Sequence, residues 1–326
     1  MNTMSTKMYI TLLSICILLS VVITLLFYAQ SISVIDKTSM EKITSLLNSN
    51  ATMIENEIEN TELLSHELVN IVTSTIDYEK VKNDPIAMEA YKNEVSFLFL
   101  NAIKVFQAKS GWVVFDTNAI QNAGILSYSV DNKEYIREVD YDIRKDDLDK
   151  SDWWVHAEKN GSSWSNPYFW EPWDANIISY SEQVLIGDIL IGVGGSELFF
   201  DDISNELNKI KIYDTGYVTL LNSNYDILFD PDSKIIGKNY KTINNKHHET
   251  LVNMIHTGDT FGIIEYRENQ KAMITAYHKL NNGWILIANP KKHEMYADLN
   301  KLNFVLILVI IIIIVLAQVY SRFLSK

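Results

Sequence analysis

Hydrophobic positions divide this chain into two unbroken apolar runs and a patterned stretch between them. Residues 8–28 are 21 residues without a charge, with polar breaks at Thr11, Ser14, Ser20 and Thr24. Residues 302–321 are 20 residues without a charge, and 304–317 are unbroken. At about 1.5 Å per residue, each run as a helix reaches roughly 30 Å, the thickness of a bilayer core. A buried soluble helix of that length keeps a polar edge, so both runs read as transmembrane helices. A cleaved signal peptide is the rival reading for the first. Its apolar part is long for a signal core and Ala29-Gln30-Ser31 is a faint cleavage match, so an uncleaved anchor is favoured.

Between the runs the period changes. Met40, Ile43, Leu47, Ile54, Ile58, then Leu64, Leu68 and Ile71 recur mostly three, four or seven apart, without Gly or Pro. This predicts one long helix over 33–75. Asp84-Pro85 opens a second, over 86–106. From Gly111 the chain reads as strands at 111–116, 125–130, 177–184 and 189–193, the last two paired around Gly187-Asp188. A charged loop or helical excursion is expected at 135–150. A short helix is expected at 154–159, with Asp152 as its N-cap and Asn160-Gly161 ending it. A helix at 198–212 follows. The pattern then repeats in brief: strands at 216–221, 227–229, 262–266, 271–277 and 283–288, a helix at 247–257, and a helical lead-in from 292. The fold class is therefore α+β: a long N-terminal helix and two small antiparallel-sheet modules in series, flanked by two transmembrane helices. The distal module covers about 76–205 and the proximal module about 206–295.

Composition is globular, at 47% hydrophobic and 21% charged. Of the 28 basic residues, three lie at the ends (1–7 and 322–326), so 25 face all 41 acidic ones between the spans, a net charge of −16. Both termini are placed in the cytoplasm and residues 29–301 outside, with a mild bias of Lys and Arg as the guide. A net acidic exterior argues against nucleic acid. The one cysteine, Cys16, lies in the first span, so no disulfide staples the exterior.

Five of the seven tryptophans (Trp153, Trp154, Trp164, Trp170, Trp173) fall within 21 residues, with Tyr168 and Phe169 among them. Dense aromatics beside a strand suit one wall of a pocket, and Trp112 and Trp284, within strands, read as core. His247, His248 and His256 lack metal-ligand spacing, no nucleophile-base set is visible, and Gly192-Val193-Gly194-Gly195 lacks the setting of a phosphate loop. No enzyme activity, metal or cofactor is expected.

In order, these elements resemble a double Cache sensor, whose two modules are PAS-like. The resemblance rests on Trp153-Trp154 with Ala157, on Trp164-Ser165-Asn166-Pro167-Tyr168, and on 191–197 with its Gly-Val-Gly-Gly core. Gly216-Tyr217, Asp230-Pro231 and Gly283-Trp284-Ile285-Leu286 carry it in the second module. It implies the extracytoplasmic input of a chemoreceptor, sensor kinase or diguanylate cyclase, with the ligand in the distal module and a homodimer along the long helix. Residues 322–326 would begin a HAMP linker to a cytoplasmic signalling domain. Amino-acid-binding members of the family carry Arg and Asp where this chain has Ser151 and Glu197. Serine cannot replace the planar fork that holds a carboxylate. The expected ligand is therefore an amine or quaternary ammonium compound, held by Trp153, Trp154, Tyr168, Trp170, Trp173 and Glu197, with Ser151 and Asp174 at the rim. Glu197 equally suits a helix cap or a surface pair with lysine. An amino-acid sensor with an altered motif, a free-standing membrane-anchored partner protein and an adhesion module are the alternatives.

Overall fold

The computed structural model describes residues 2–131, 134–138, 151–243, 245–268 and 271–324. Helix α1 (Asn2–Thr75) runs without a break for 74 residues. Its apolar stripe serves two cores in turn. Ile43, Leu47, Ala51, Ile54 and Ile58 enter one, and Leu64, Leu68 and Val72 enter the other. Between Ile15 and Phe27 it exposes a run of large apolar side chains, among them Leu18, Ile23 and Leu26. Among the described residues this is the one helix long and apolar enough to cross a membrane.

Helix α2 (Tyr78–Val81) leads to α3 (Pro85–Val105). Asp84 caps α3, accepting from the Ile86 and Ala87 backbone N–H groups, and Pro85 fills the first turn, where no donor is needed. The first sheet is built from β1 (Ser110–Phe115), β2 (Ile125–Asp131), β3 (Glu134–Glu138), β4 (Ser162–Trp164), β5 (Tyr168–Trp170), β6 (Ala175–Ile186) and β7 (Ile189–Phe199). Its order is β3-β2-β1-β7-β6-β4, with β5 also pairing with β6, and every pairing is antiparallel. Helix α4 (Asp152–Asn160) crosses one face. Helix α5 (Phe200–Lys209) then leads to the second sheet: β8 (Tyr217–Leu221), β9 (Ile227–Phe229), β10 (Phe261–Glu268), β11 (Lys271–Lys279) and β12 (Ile285–Asn289), with α6 (Asn245–Thr257) before β10. Its order is β10-β11-β12-β8-β9, again antiparallel. Helices α7 (Lys292–Met295) and α8 (Ala297–Leu324) close the chain, and α8 carries the shorter apolar segment Phe304–Leu316 among its described residues.

Four expectations are corrected. Residues 134–138 are a strand, not a loop or helix, because β3 pairs with β2 from Asp131↔Glu134 to Ser127↔Glu138. The remainder of that expectation, 139–150, lies outside the described residues, as do 269–270. Leu198 and Phe199 extend β7 rather than opening a helix, since they pair with Ile178 and Ile177. The cap position of α4 is Ser151, not Asp152, which already lies in the first turn. The approach to the C-terminal helix breaks at Tyr296, where the backbone leaves helical geometry.

Candidate functional site

An aromatic cavity lies on the α4 face of the first sheet. Its floor comes from strand alternation, which sends every second side chain to one face. Ser110, Trp112 and Val114 of β1, Ile125, Ser127 and Ser129 of β2, Ile177 of β6 and Glu197 of β7 share this face. The register sets them side by side, Trp112 opposite Ser127 on one flank and opposite Gly195 on the other. Gly195 is required here. A Cβ on it would sit 2.3 Å from the Tyr180 carbonyl oxygen and 2.7 Å from the Trp112 ring.

The roof is α4 and the segment after it. Trp154 and Ala157, three apart, turn into the sheet and pack with Trp112, Val114 and Val193. Trp153, one position earlier and about 100° around the helix, meets the Trp112 ring edge-on at 4.8 Å. Gly161, at φ +88°, ends α4 and reverses the chain. Tyr168 and Trp170 then project from the same face of β5, with centroids 6.4 Å apart at 89°. Trp173 follows on a single 3-10 turn, 6.3 Å from Trp170 and stacked on Phe199 at 5.3 Å. Tyr168 is fixed from behind by a 2.7 Å hydrogen bond between its hydroxyl and Ser179 Oγ. Together these residues enclose about 520 Å3 of non-protein space, solvent mouth included.

Glu197 is the one charged group among the described residues of the lining. Ser110 Oγ donates to one carboxylate oxygen and Trp112 Nε1 to the other. These bonds orient the carboxylate. An aromatic wall with one fixed negative charge stabilises a positive group through both ring quadrupoles and charge.

Of the residues expected from the sequence, Trp153, Tyr168, Trp170, Trp173 and Glu197 meet at this cavity. Trp154 does not: it is 3% exposed and forms the packing beneath Trp153. Asp174 is exposed at φ +46° and closes the 3-10 turn with its N–H. Ser151 is half-buried at the start of α4, off the cavity. Trp164 has left the cluster altogether. Its ring meets Trp284 of the second sheet unit at 5.7 Å, and its Nε1 donates to Glu62 of α1 at 2.8 Å. Trp112, expected in the core, is 7% exposed yet forms cavity wall. The cap position of α5 is Phe199 rather than Glu197, and the nearby Lys109 bonds Asp202 at 2.6 Å. The sequence reading missed Ser110, Ser127, Ser129 and Tyr128. Alternation within 110–115 and 125–131 is the signal that could have found the three serines; Tyr128, one position out of phase with Ser127 and Ser129, packs into the core on the other face.

The Cache domain family pattern matches residues 31–299. The methyl-accepting chemotaxis protein PscA of Pseudomonas syringae pv. tomato is 28% identical over 135 residues, 40% of this chain. That match spans 20% of PscA's own length. The periplasmic sensory domain of the Campylobacter jejuni chemoreceptor Tlp1 superposes with a TM-score of 0.62 at 17% identity, covering 80% of this chain and 98% of that one. The ligand-binding domain of Campylobacter jejuni Tlp3, in complex with L-valine, gives 0.55 at 15% identity, over 81% of this chain and 96% of that one.

Proposed function

The chain belongs to the Cache domain family, and from that premise we propose that it is the extracytoplasmic ligand-sensing region of a transmembrane receptor. In this reading residues 8–28 and 302–321 both cross the membrane, 29–301 lie outside, and both termini are cytoplasmic. The distal module (about 76–205) holds the ligand and the proximal module (about 206–295) passes the signal on. The chain forms a homodimer along α1 and signals through a cytoplasmic domain or partner.

The ligand class is an amine or quaternary ammonium compound. The observation that carries it is Glu197, bonded by Ser110 and Trp112 and surrounded by Trp153, Tyr168, Trp170 and Trp173. Removing a cation's water is offset here by indole and phenol faces plus one carboxylate. A ligand carboxylate would meet that same negative charge. Binding acts on signalling through a difference in affinity between two arrangements of the cavity. The β4–β5 segment, tied to α1 by Trp164 and to the second unit by Asn166, supplies a route for small shifts toward the membrane.

Calorimetric titration of the full chain in lipid nanodiscs tests this, against choline, putrescine, betaine and a set of L-amino acids. Binding of choline or putrescine is expected. Binding of a neutral or acidic amino acid, with neither amine bound, would overturn the amine reading and favour an amino-acid sensor.

A further inference from the structure

We propose a second small-molecule site in the cleft between the two sheet units, for a small neutral polyhydroxylated ligand. The cleft holds about 810 Å3 of non-protein space, solvent mouth included. One side is α4, β4 and the turn after it; the other is the β8–β9 and β11–β12 turns. It shares no lining residue with the aromatic cavity.

Unsatisfied hydrogen-bonding capacity gathers there. Ser163 and Asn282 line the cleft, and Ser163 Oγ and Asn282 Nδ2 have no hydrogen-bond partner among the described residues. Ser181, directly opposite Ser163 in the β4–β6 register, has a buried Oγ in the same condition. Asn282 cannot resolve this by turning its amide over, since its Oδ1 already accepts from the Trp284 N–H at 3.0 Å. A buried polar group left without a partner is destabilising, and native folds keep few of them.

The lining sets the ligand class. Charge is confined to Asp152 and His156 on α4; the remaining groups are amides, hydroxyls and indoles. Amides and hydroxyls donate and accept at once, as ligand hydroxyls do. The half-buried Trp164 ring offers an apolar surface for C–H groups beside them. A free cation or anion finds no concentrated opposite charge. The cleft also straddles a joint, because Asn222 Nδ2 donates to Asn166 Oδ1 at 3.1 Å across it. An occupant would touch both units and, by binding the docked arrangement, stabilise it.

The test is saturation-transfer NMR on the full chain in lipid nanodiscs, with D-glucose, D-galactose and xylitol as probes. Transfer to at least one probe is expected. It should weaken at least tenfold in Asn282→Leu and in Ser163→Ala, and persist in Glu197→Gln. Ser163→Ala removes only a hydroxyl and keeps the test open should Asn282→Leu fail to fold, as judged by a cooperative melt. No transfer from any of the three probes overturns the proposal. So does transfer that survives Ser163→Ala, or transfer lost in Glu197→Gln, which would assign the probe to the aromatic cavity.

Discussion

Asn166 of the first sheet unit accepts a 3.1 Å hydrogen bond from Asn222 of the second, side chain to side chain. Asn166 lies two residues before Tyr168 of the cavity wall. Between them and β6, Ser179 is shared: its N–H donates to Ser165 Oγ at 3.0 Å and its hydroxyl meets the Tyr168 hydroxyl at 2.7 Å. Asn222 is held rigid by its own turn, its Oδ1 accepting from the Asn224 and Asp226 N–H groups. Asn166→Ala leaves Asn222 Nδ2 with Asp226 Oδ2 at 3.3 Å. The expected result is a loss of about 1 kcal/mol of stability, with choline affinity unchanged and ligand-induced hydrogen-exchange protection of residues 222–226 reduced. Unchanged protection of that turn would remove this bond from the signalling route.

Glu197→Gln keeps the size of the side chain and removes its charge. Amine affinity is expected to fall at least tenfold in calorimetric titration, with the melting temperature nearly unchanged. Equal affinity in the variant would show that the carboxylate does not face the ligand.

Trp153 and Trp154 are neighbours with different duties. Trp154→Ala empties a buried site among Trp112, Ala157 and Val193 and is expected to cost about 3–5 kcal/mol. Trp153→Ala should cost less stability and more affinity. Urea midpoints paired with titrations check this, and a larger stability loss for Trp153→Ala would reverse the assignment.

Gly195→Ala places a methyl group against the Tyr180 carbonyl and the Trp112 ring. Both neighbours are fixed, one as strand backbone and the other by its bond to Glu197. A loss of about 1–3 kcal/mol is expected, together with weaker amine binding as Trp112 shifts. A melt indistinguishable from the parent protein would contradict the close packing drawn here.

Asp230 titrates above the ordinary aspartate range, chiefly because burial disfavours its charge; hydrogen bonds from Thr219 and from the Asp232 backbone oppose that shift. The folded state therefore holds this proton more tightly than the unfolded chain. Its contribution to stability is fully present below the ordinary aspartate range and is lost as pH rises through the raised titration. Asp230→Asn should flatten that slope when chemical unfolding is followed from acid to neutral pH. An unaltered slope would place the pH dependence elsewhere.

Much of the fold was legible in the chain because its signals are local. The stripe from Ile43 to Leu68 specifies a helix, Asp84-Pro85 starts one, Gly161 stops one, and the runs around Val113 and Ile191 specify strands. Of the five clustered tryptophans, Trp153, Trp170 and Trp173 line the aromatic cavity. What the sequence could not supply was direction. Trp153 and Trp154 are adjacent letters, and the turn of α4 against the sheet decides that one lines the cavity while the other fills the core. Strand alternation pairs Ser110 with Trp112, yet only the β1–β7 register brings both to Glu197, 85 residues or more away. Trp164 belongs to the aromatic cluster by position and to the joint between units by contact, because the chain reverses after α4. Local propensity and periodicity are read from neighbours along the chain; the lining of a cavity is set by pairings between distant segments, and those exist only once the sheet has formed.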